Sequence, residues 1–305
     1  MAGQFSANYG ITGMNRRSIF VRALISFCLL IIASLAVAQS PVSQDQGIAN
    51  KIFSSAFEQK LIDKPIGAVI TTVGKTFLGT PYVGGVLDSS VDEHLVVNLH
   101  GLDCVTFVEN TLALSRAIKS NTLSFNAFLH QVQSIRYRDS TINGYTSRLN
   151  YFTDWIADNV KKGILTDVTK RIGGVSYRKT INFMSRHRGS YKQLAVDSNY
   201  TAIQATEAQL ASRSLYYIPK ENLQRLELKI EDGDIIAITT SIDGLDISHT
   251  AIAVHEQDGS LHLLHAPDAN GVVTITEKPL SAYLLSHVKQ TGIMVMRPFN
   301  PEDSK

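Results

Sequence analysis

Apolar residues recur at helical spacing through the first half of the chain. Between residues 48 and 61 they fall three and four positions apart, and residues 66–77 continue that pattern. A further amphipathic helix is predicted from Cys104 to Lys119. Residues 121–225 are expected to be mostly helical and irregular, since they contain no internal repeat and no low-complexity linker.

The pattern changes after Asp232, where short β-rich runs alternate with Gly, Asp or Pro. These runs are residues 234–240, 249–254, 261–265, 272–275 and 293–296. Such spacing is typical of an antiparallel sheet. Helices first and strands last favour an α+β fold over a wound parallel sheet.

The first 38 residues have the order of a secretory signal peptide. Basic residues at 16–22 precede an apolar run at 23–37, and Ala36 and Ala38 form an Ala-x-Ala site. A permanent membrane anchor is disfavoured because the run is shorter than the roughly 20 residues that cross a bilayer. We therefore expect cleavage after Ala38 and an exported protein, in the periplasm, with no stable membrane anchor.

The remaining chain is predicted to form one domain. Residues 39–46 are polar and are expected to be a flexible tail, whereas residues 47–300 form the domain with a helical insertion around 121–225. Composition agrees, because a chain that is 44% hydrophobic and 18% charged is neither collagen-like nor disordered. We expect a monomer.

Charge and cysteine content narrow the possible functions. Loss of residues 1–38 changes the net charge from +2 to −1, so the mature chain lacks the basic excess that nucleic-acid binding requires. It also removes Cys28 and leaves Cys104 without a disulfide partner. A lone thiol at a helix N-terminus is either a small buried hydrophobe or a nucleophile whose pKa the helix lowers.

Histidines in the strand region supply a candidate base. A three-residue loop at 257–259, with Gly259 in the left-handed position, would pair Ala251 with His265 and make His249 and His265 diagonal neighbours on one face. His262 would then point to the other face, which disfavours a zinc cluster. A two-residue turn would instead put His249 and His265 on opposite faces.

Other polar and aromatic residues are weaker candidates. Arg148 could clamp a carboxylate with its bidentate fork. Tyr151 and Trp155 could form a platform for sugar or peptide, but their spacing of four is more typical of core positions. Glu109 and Arg116 are expected to be solvated helix charges.

Several motifs together resemble a known superfamily. They are GLDCV at residues 101–105, GDII at 233–236, SH at 248–249 and LHA at 264–266, with TPYVGG upstream at 80–85. Their order resembles the NlpC-type, papain-like cell-wall hydrolases. The segment at 147–155 is similar to the N-acetylmuramoyl-L-alanine amidase-like branch, domain of unknown function 1460.

This resemblance implies a papain-like fold and a Cys-His-His triad. Cys104 would be the nucleophile, His249 the base and His265 the residue that holds His249, with no metal or organic cofactor. Tyr82 would lie near the oxyanion hole. The substrate would be peptidoglycan fragments, cleaved between N-acetylmuramic acid and L-alanine. The residue matching Asp103 binds a free L-alanine amine in related peptidases, and an intact muramoyl-alanine has none.

Three alternatives remain open at this point. A γ-D-glutamyl-diamino-acid endopeptidase would use the same triad and would bind the substrate amine at Asp103. A binding module would keep the fold and grasp peptidoglycan without turnover. A zinc hydrolase is the third alternative.

Overall fold

The computed structural model describes residues 41–90, 92–269 and 271–301. The predicted signal peptide and the first two residues of the predicted tail lie outside these ranges. The helices of the described chain are α1 (Pro41–Glu58), α2 (Ile66–Lys75), α3 (Cys104–Lys119), α4 (Phe125–Arg136), α5 (Phe152–Lys161), α6 (Thr169–Ile172), α7 (Phe183–Arg186), α8 (Asp197–Ala211), α9 (Lys220–Leu223) and α10 (Leu280–Leu285).

The strands form one antiparallel sheet. They are β1 (Leu165–Asp167), β2 (Val175–Tyr177), β3 (Leu215–Pro219), β4 (Ile235–Thr240), β5 (Ile247–His255), β6 (Leu261–His265), β7 (Thr274–Ile275) and β8 (Gln290–Pro298). Their order across the sheet is β2-β3-β8-β4-β5-β6-β7, and β1 pairs with the far end of β8. The α+β class and the antiparallel sheet are therefore confirmed.

Both faces of the sheet are buried, because alternate side chains along its strands point into two different cores. On β4, Ile235 and Ala237 join the larger core beneath α1 to α5, while Ile236 and Ile238 face a second core. The second core is closed in part by Leu280 of α10. Burial of both faces explains why β4 reads as a continuous apolar run.

Helix α3 lies at the centre of the larger core. Every residue from Thr106 to Ile118 is buried, including the charged Glu109 and Arg116. Glu109 accepts from Arg136 Nε at 2.7 Å, and Arg116 Nε donates to Gln131 Oε1 at 3.0 Å. The expectation that Glu109 and Arg116 are solvated is therefore wrong, because α1, α2 and α4 cover the face that periodicity left polar.

One prediction about domain organisation needs correction. The predicted tail is helical from Pro41, and Asp45 is buried, where its Oδ1 accepts from Leu99 N at 2.8 Å. The segment predicted to be largely helical consists mainly of helices and irregular chain, and it also contains the short strands β1, β2 and β3. Its Trp155, in α5, belongs to the same core as α3.

The β5–β6 hairpin has the predicted register. Ile252 pairs with Leu264 and His255 with Leu261. Glu256 N donates to Ser260 O at 3.0 Å, and Gly259 has φ +82°. The left-handed glycine closes a three-residue loop without the steric penalty that a Cβ would add.

Two helical glycines give a matched test of packing. A Cβ at Gly67 of α2 would lie 2.1 Å from the backbone oxygen of Asp232, whereas a Cβ at Gly47 of α1 would meet nothing within 4 Å. We expect Gly67→Ala to lower the free energy of unfolding by about 1–3 kcal/mol. Gly47→Ala should raise it by about 0.5–1 kcal/mol. Urea denaturation of both variants measures the difference, and equal stability would contradict the close approach of α2 to Asp232.

Candidate active site

Cys104 is the first residue of helix α3, and a capping box fixes the backbone there. Thr106 N donates to Asp103 Oδ1 at 2.7 Å, and Asp103 N donates to Thr106 Oγ1 at 2.9 Å. The N–H groups of Cys104 and Val105 precede the capped one and have no intrahelical acceptor. The side chain of Asp103 is thus engaged in the helix cap.

Strand β5 is joined to the start of α3 beside the thiol. Thr250 Oγ1 donates to the backbone oxygen of Cys104 at 2.7 Å. Thr250 directly follows His249, so this bond brings the base candidate and the thiol into the same part of the molecule. Cys104 and His249 both line one cavity of about 300 Å³.

His249 and His265 form a hydrogen-bonded pair. His249 Nε2 lies 2.8 Å from His265 Nδ1, and the two rings meet edge to face with centroids 5.0 Å apart. Because this contact uses Nε2, Nδ1 of His249 is the ring atom that can serve a thiol. The predicted same-face placement is therefore what the structure shows.

The remaining histidines of the region lie elsewhere. His262 contacts Thr276 O at 2.6 Å through Nδ1 and Ser260 Oγ at 2.8 Å through Nε2. His255 contacts Asp232 Oδ1 at 2.7 Å. No group of three or more His, Cys, Asp or Glu side chains suited to a metal ion occurs in the described ranges.

Burial sets the charge states of the triad candidates. Desolvation, followed by the charge of Asp103, raises the pKa of Cys104 to about 11, and the N–H groups of Thr250 and Val105 oppose this only in part. Burial, then His287, lowers the pKa of His249 to about 4. The Val105 N–H at the helix start lowers the pKa of the thiol, as predicted, but burial and the charge of Asp103 outweigh it, so the net shift is upward. At neutral pH the site holds a thiol and a neutral imidazole.

Three of the predicted substrate-binding residues are placed as follows. Tyr82 is half-buried and its backbone bridges to Leu102, two residues before Cys104. Burial, and then the charges of Cys104, Asp103 and Asp268, raise the pKa of Tyr82 to about 12. Tyr151 lines the cavity but is buried, and its hydroxyl donates to Glu207 Oε1 at 2.7 Å. Trp155 is 1% exposed and stacks on Phe152. The platform interpretation of Trp155 is therefore wrong, because the ring is part of the core.

Arg148 lines the cavity but already has partners. Its Nη2 donates to Asp88 Oδ1 at 2.6 Å and its Nη1 to Leu87 O at 2.9 Å, and Glu93 Oε1 lies 3.6 Å from its Nε. Nη1 and Nη2 thus each have one acceptor, whereas the buried Nε has none within hydrogen-bond distance in the described chain. The predicted carboxylate clamp is therefore neither formed nor fully blocked in this structure.

Arg136 and Asp246 line the cavity and were not chosen as site residues from the sequence. Arg136 ends helix α4 and resembles an ordinary last-turn cation, yet it is 2% exposed and paired with Glu109. Asp246 precedes β5 and accepts from Thr153 N and Oγ1, both at 2.8 Å, which caps helix α5 from a distant segment. Neither role has a local signal, since each partner lies more than 25 residues away in the chain.

Comparison with known proteins places the chain in a family. A family model described as N-acetylmuramoyl-L-alanine amidase-like matches residues 72–293. The chain belongs to this family. No curated protein matches it. No helix of the described chain has the length and apolar character that a membrane crossing needs.

Solved structures agree with the amidase-like family. The crystal structure of an N-acetylmuramoyl-L-alanine amidase from Bacteroides uniformis is 40% identical, with a TM-score of 0.73, and the match covers 77% of this chain and 99% of that one. A Bacteroides fragilis protein with a provisional xylanase name is 38% identical over 74% of this chain and 99% of that one, at a TM-score of 0.70. Protein LPG0564 from Legionella pneumophila shares the fold at 22% identity and a TM-score of 0.66, over 85% of this chain and 96% of that one.

Titration of the thiol tests the charge states. Because the pKa of Cys104 is raised to about 11, the free protein should show no thiolate absorbance at 240 nm at pH 7 and should gain it only in the alkaline range. Cys104→Ser supplies the baseline, since it removes the one thiol of the described chain. A thiolate already present at pH 7 would contradict the desolvated neutral pair.

Two substitutions of Asp103 separate the effect of its charge on the thiol pKa from the effect of its capping hydrogen bond on stability. Asp103→Asn keeps a capping oxygen and removes the charge, so we expect a lower thiol pKa and little change in stability. Asp103→Ala removes both and should cost about 1 kcal/mol of unfolding free energy. The thiol titration measures the change in pKa, and urea denaturation measures the change in unfolding free energy. An unchanged thiol pKa in both variants would show that Asp103 does not act on the thiol.

Proposed function

We propose that this protein is a cysteine amidase that hydrolyses the bond between N-acetylmuramic acid and L-alanine in peptidoglycan fragments. The observation that carries the proposal is the His249–His265 hydrogen bond in the wall of the cavity that the thiol of Cys104 lines. Membership in the amidase-like family supports the bond that is cleaved. The arrangement of a thiol at a helix start beside an antiparallel sheet supports a papain-like, NlpC-type fold.

In acylation the Cys104 proton moves to Nδ1 of His249 as the sulfur attacks the substrate. The sulfur attacks the lactyl carbonyl carbon of the muramoyl group, and the C=O bond opens to an oxyanion that the Cys104 N–H stabilises. His249 then gives its proton to the departing nitrogen as the C–N bond breaks. The products of this step are a thioester on Cys104 and a stem peptide with a free L-alanine amine.

Deacylation uses the same groups. His249 removes a proton from water, the hydroxide oxygen attacks the thioester carbonyl, and the thiol leaves with the proton returned by His249. N-acetylmuramic acid with a free carboxyl group is released. His265 is a positioning residue, because its Nδ1 accepts the hydrogen of His249 Nε2 and so leaves the lone pair of His249 Nδ1 available to take a proton.

A neutral thiol on Cys104 and a neutral imidazole on His249 suit the proposed acyl transfer in a desolvated site. A thiol with a raised pKa is a weak nucleophile until its proton moves, so proton transfer and attack are expected to be concerted. Binding of substrate replaces water over Cys104, and the imidazolium formed on His249 is stabilised by its contact with His265. No step of this scheme uses a metal or an organic cofactor.

The cap at Asp103 bears on the endopeptidase alternative. An endopeptidase of this fold would use the Asp103 carboxylate for the substrate's free amine, whereas here Oδ1 accepts from both Thr106 N and Thr106 Oγ1. An amidase acting on an intact muramoyl-alanine needs no such partner. The cap engages only Oδ1, so the choice of the amidase over the endopeptidase rests on the family match.

Location and assembly complete the proposal. The signal-peptide pattern of residues 1–38 supports export, and we propose a periplasmic protein that acts as a monomer on small muropeptides. After cleavage no stable membrane anchor is expected, and nucleic acid is not an expected partner.

Digestion of a defined muropeptide tests the function. The mature protein should convert N-acetylmuramoyl-L-alanyl-γ-D-glutamyl-diamino acid into N-acetylmuramic acid and a peptide that begins with L-alanine, as read by mass spectrometry. Cys104→Ala should lose about 1,000-fold or more of this activity. Cleavage after the glutamyl residue would indicate the endopeptidase, and binding without cleavage would indicate the binding module. Undiminished activity after dialysis against a chelator would oppose a zinc hydrolase.

Variants of the histidine pair test the positioning role. His265→Ala should lower kcat about 100-fold or more with little change in KM, because the base loses its orientation. His265→Asn keeps an acceptor for His249 and should retain part of the rate. His262→Ala is the matched control, since this buried histidine lies on the other face of β6 and should affect stability only. Equal losses of kcat in His262→Ala and His265→Ala would contradict the assignment.

A further inference from the structure

The hydroxyl group of Thr250 lies next to the candidate nucleophile and has no part in the proposed acyl transfer. Its Oγ1 donates to the backbone oxygen of Cys104 at 2.7 Å, and the residue is 1% exposed. Thr250 also lines the cavity of about 300 Å³ that Cys104 and His249 line. A buried hydroxyl in contact with the reacting residue is a candidate for a further role in the reaction.

The backbone oxygen of Cys104 does not depend on this hydroxyl for a partner. Cys104 begins helix α3, where each carbonyl accepts from the N–H four residues later, here that of Val108. A carbonyl oxygen has two lone pairs, so the hydroxyl of Thr250 is its second donor. If the hydroxyl turned away, the oxygen would keep its helical hydrogen bond. The bond from Thr250 can therefore break at little cost.

The sulfur of Cys104 is a second acceptor for the same hydroxyl. Burial and then the charge of Asp103 raise the pKa of the thiol, and hydrogen bonds from the N–H and the hydroxyl of Thr250 are the first of the influences that lower it. A hydroxyl has one proton, and rotation about its C–O bond decides which acceptor receives it. A charged acceptor forms the stronger hydrogen bond, so the hydroxyl should favour the sulfur once the sulfur is a thiolate.

The timing of this change of acceptor determines its effect on the rate. A donor that bound the sulfur equally well in the thiol and in the transition state would not lower the barrier. In the free protein the hydroxyl donates to the backbone oxygen of Cys104, and negative charge appears on the sulfur only as the proton moves to His249. The hydrogen bond to sulfur is therefore gained as the charge develops, which is when it lowers the barrier.

We propose that the hydroxyl of Thr250 is a catalytic donor that turns from the backbone oxygen of Cys104 to its sulfur as the thiol loses its proton. The inference rests on the proposed function. The thiol proton moves to Nδ1 of His249, and Thr250 keeps its own proton throughout. The hydroxyl returns to the backbone oxygen when the thioester forms and the sulfur loses its charge. In deacylation it turns again to the departing sulfur.

A purely structural role for Thr250 predicts a different outcome. The hydroxyl also joins strand β5 to helix α3, so its loss could loosen the contact between these two elements. A looser site would expose the sulfur to reagents and to water, and both changes speed its reaction with an electrophile. Loss of a donor to the thiolate slows the same reaction. The two roles therefore have opposite signs in one measurement.

Alkylation of Cys104 by iodoacetamide measures the proposed role without any substrate. Well below the thiol pKa of about 11, the rate is proportional to the thiolate fraction, so loss of a donor lowers it. In the mature protein at pH 8, we expect Thr250→Val to lower the second-order rate constant about 5-fold or more. A thiolate of higher pKa is the better nucleophile, and this value allows for that offset. Thr250→Ser keeps the hydroxyl and should react within about 2-fold of the wild-type rate.

Thr239→Val is the matched control. Thr239 is a fully buried threonine of the adjacent strand β4, its hydroxyl lies 2.8 Å from that of Thr291, and neither residue lines the cavity at Cys104. This variant should react at the wild-type rate. An unchanged or faster rate in folded Thr250→Val, or an equal loss in Thr239→Val, would overturn the proposal. If Thr250→Val lacks a cooperative thermal transition, Thr250→Ala replaces it, with the same expected loss and the same overturning results.

The muropeptide digest separates failure of this inference from failure of the proposed function. If both hold, Thr250→Val should lower kcat about 10-fold with little change in KM, because the hydroxyl acts on the sulfur and not on the bound substrate. Cleavage at the muramoyl amide with alkylation unaffected by Thr250→Val would refute only the role of Thr250. Slower alkylation of Thr250→Val, in a protein whose wild type cleaves no muropeptide, would refute only the proposed function.

Discussion

The hydrogen bond between His249 Nε2 and His265 Nδ1 depends on the register of a single hairpin. The three-residue loop closed by Gly259 sets Ala251 opposite His265, so both histidines emerge on one face of the sheet. A slip of one residue would move one ring to the opposite face and abolish the pair. The same strand carries Thr250, whose hydroxyl holds the start of helix α3. Strand β5 therefore carries both His249, the proposed base, and the hydroxyl that contacts the backbone of Cys104, the proposed nucleophile.

Desolvation then gives this geometry its chemical character. The helix start offers free N–H groups to the sulfur, yet burial and Asp103 keep the proton on the thiol, and burial keeps the proton off His249. A preformed thiolate–imidazolium pair would be more stable in a hydrated site than in a desolvated one. A neutral pair can remain in a partly apolar cavity until a substrate carbonyl arrives, and the charge then develops where Cys104 N–H and His265 can stabilise it.

The local parts of the site could be predicted from the sequence, and the long-range parts could not. Periodicity predicts α3 from Cys104 to Lys119, and turn chemistry predicts the β5–β6 register, because both depend on neighbours in the chain. Strands β1 and β2 have three residues each, and β1 exists only because β8 pairs with it from a distant segment. Likewise, the burial of Trp155 and the pairing of Arg136 with Glu109 depend on how helices pack. These tertiary contacts leave no mark on local periodicity.

Mass spectrometry of the intact protein, quenched with acid within milliseconds of mixing with a muropeptide, tests the central claim most directly. The account predicts a transient adduct with the mass of the N-acetylmuramoyl acyl group, located on the proteolytic fragment that contains Cys104. An adduct carrying the stem-peptide half, an adduct on another residue, or undiminished product release by a protein fully alkylated at Cys104 would contradict it.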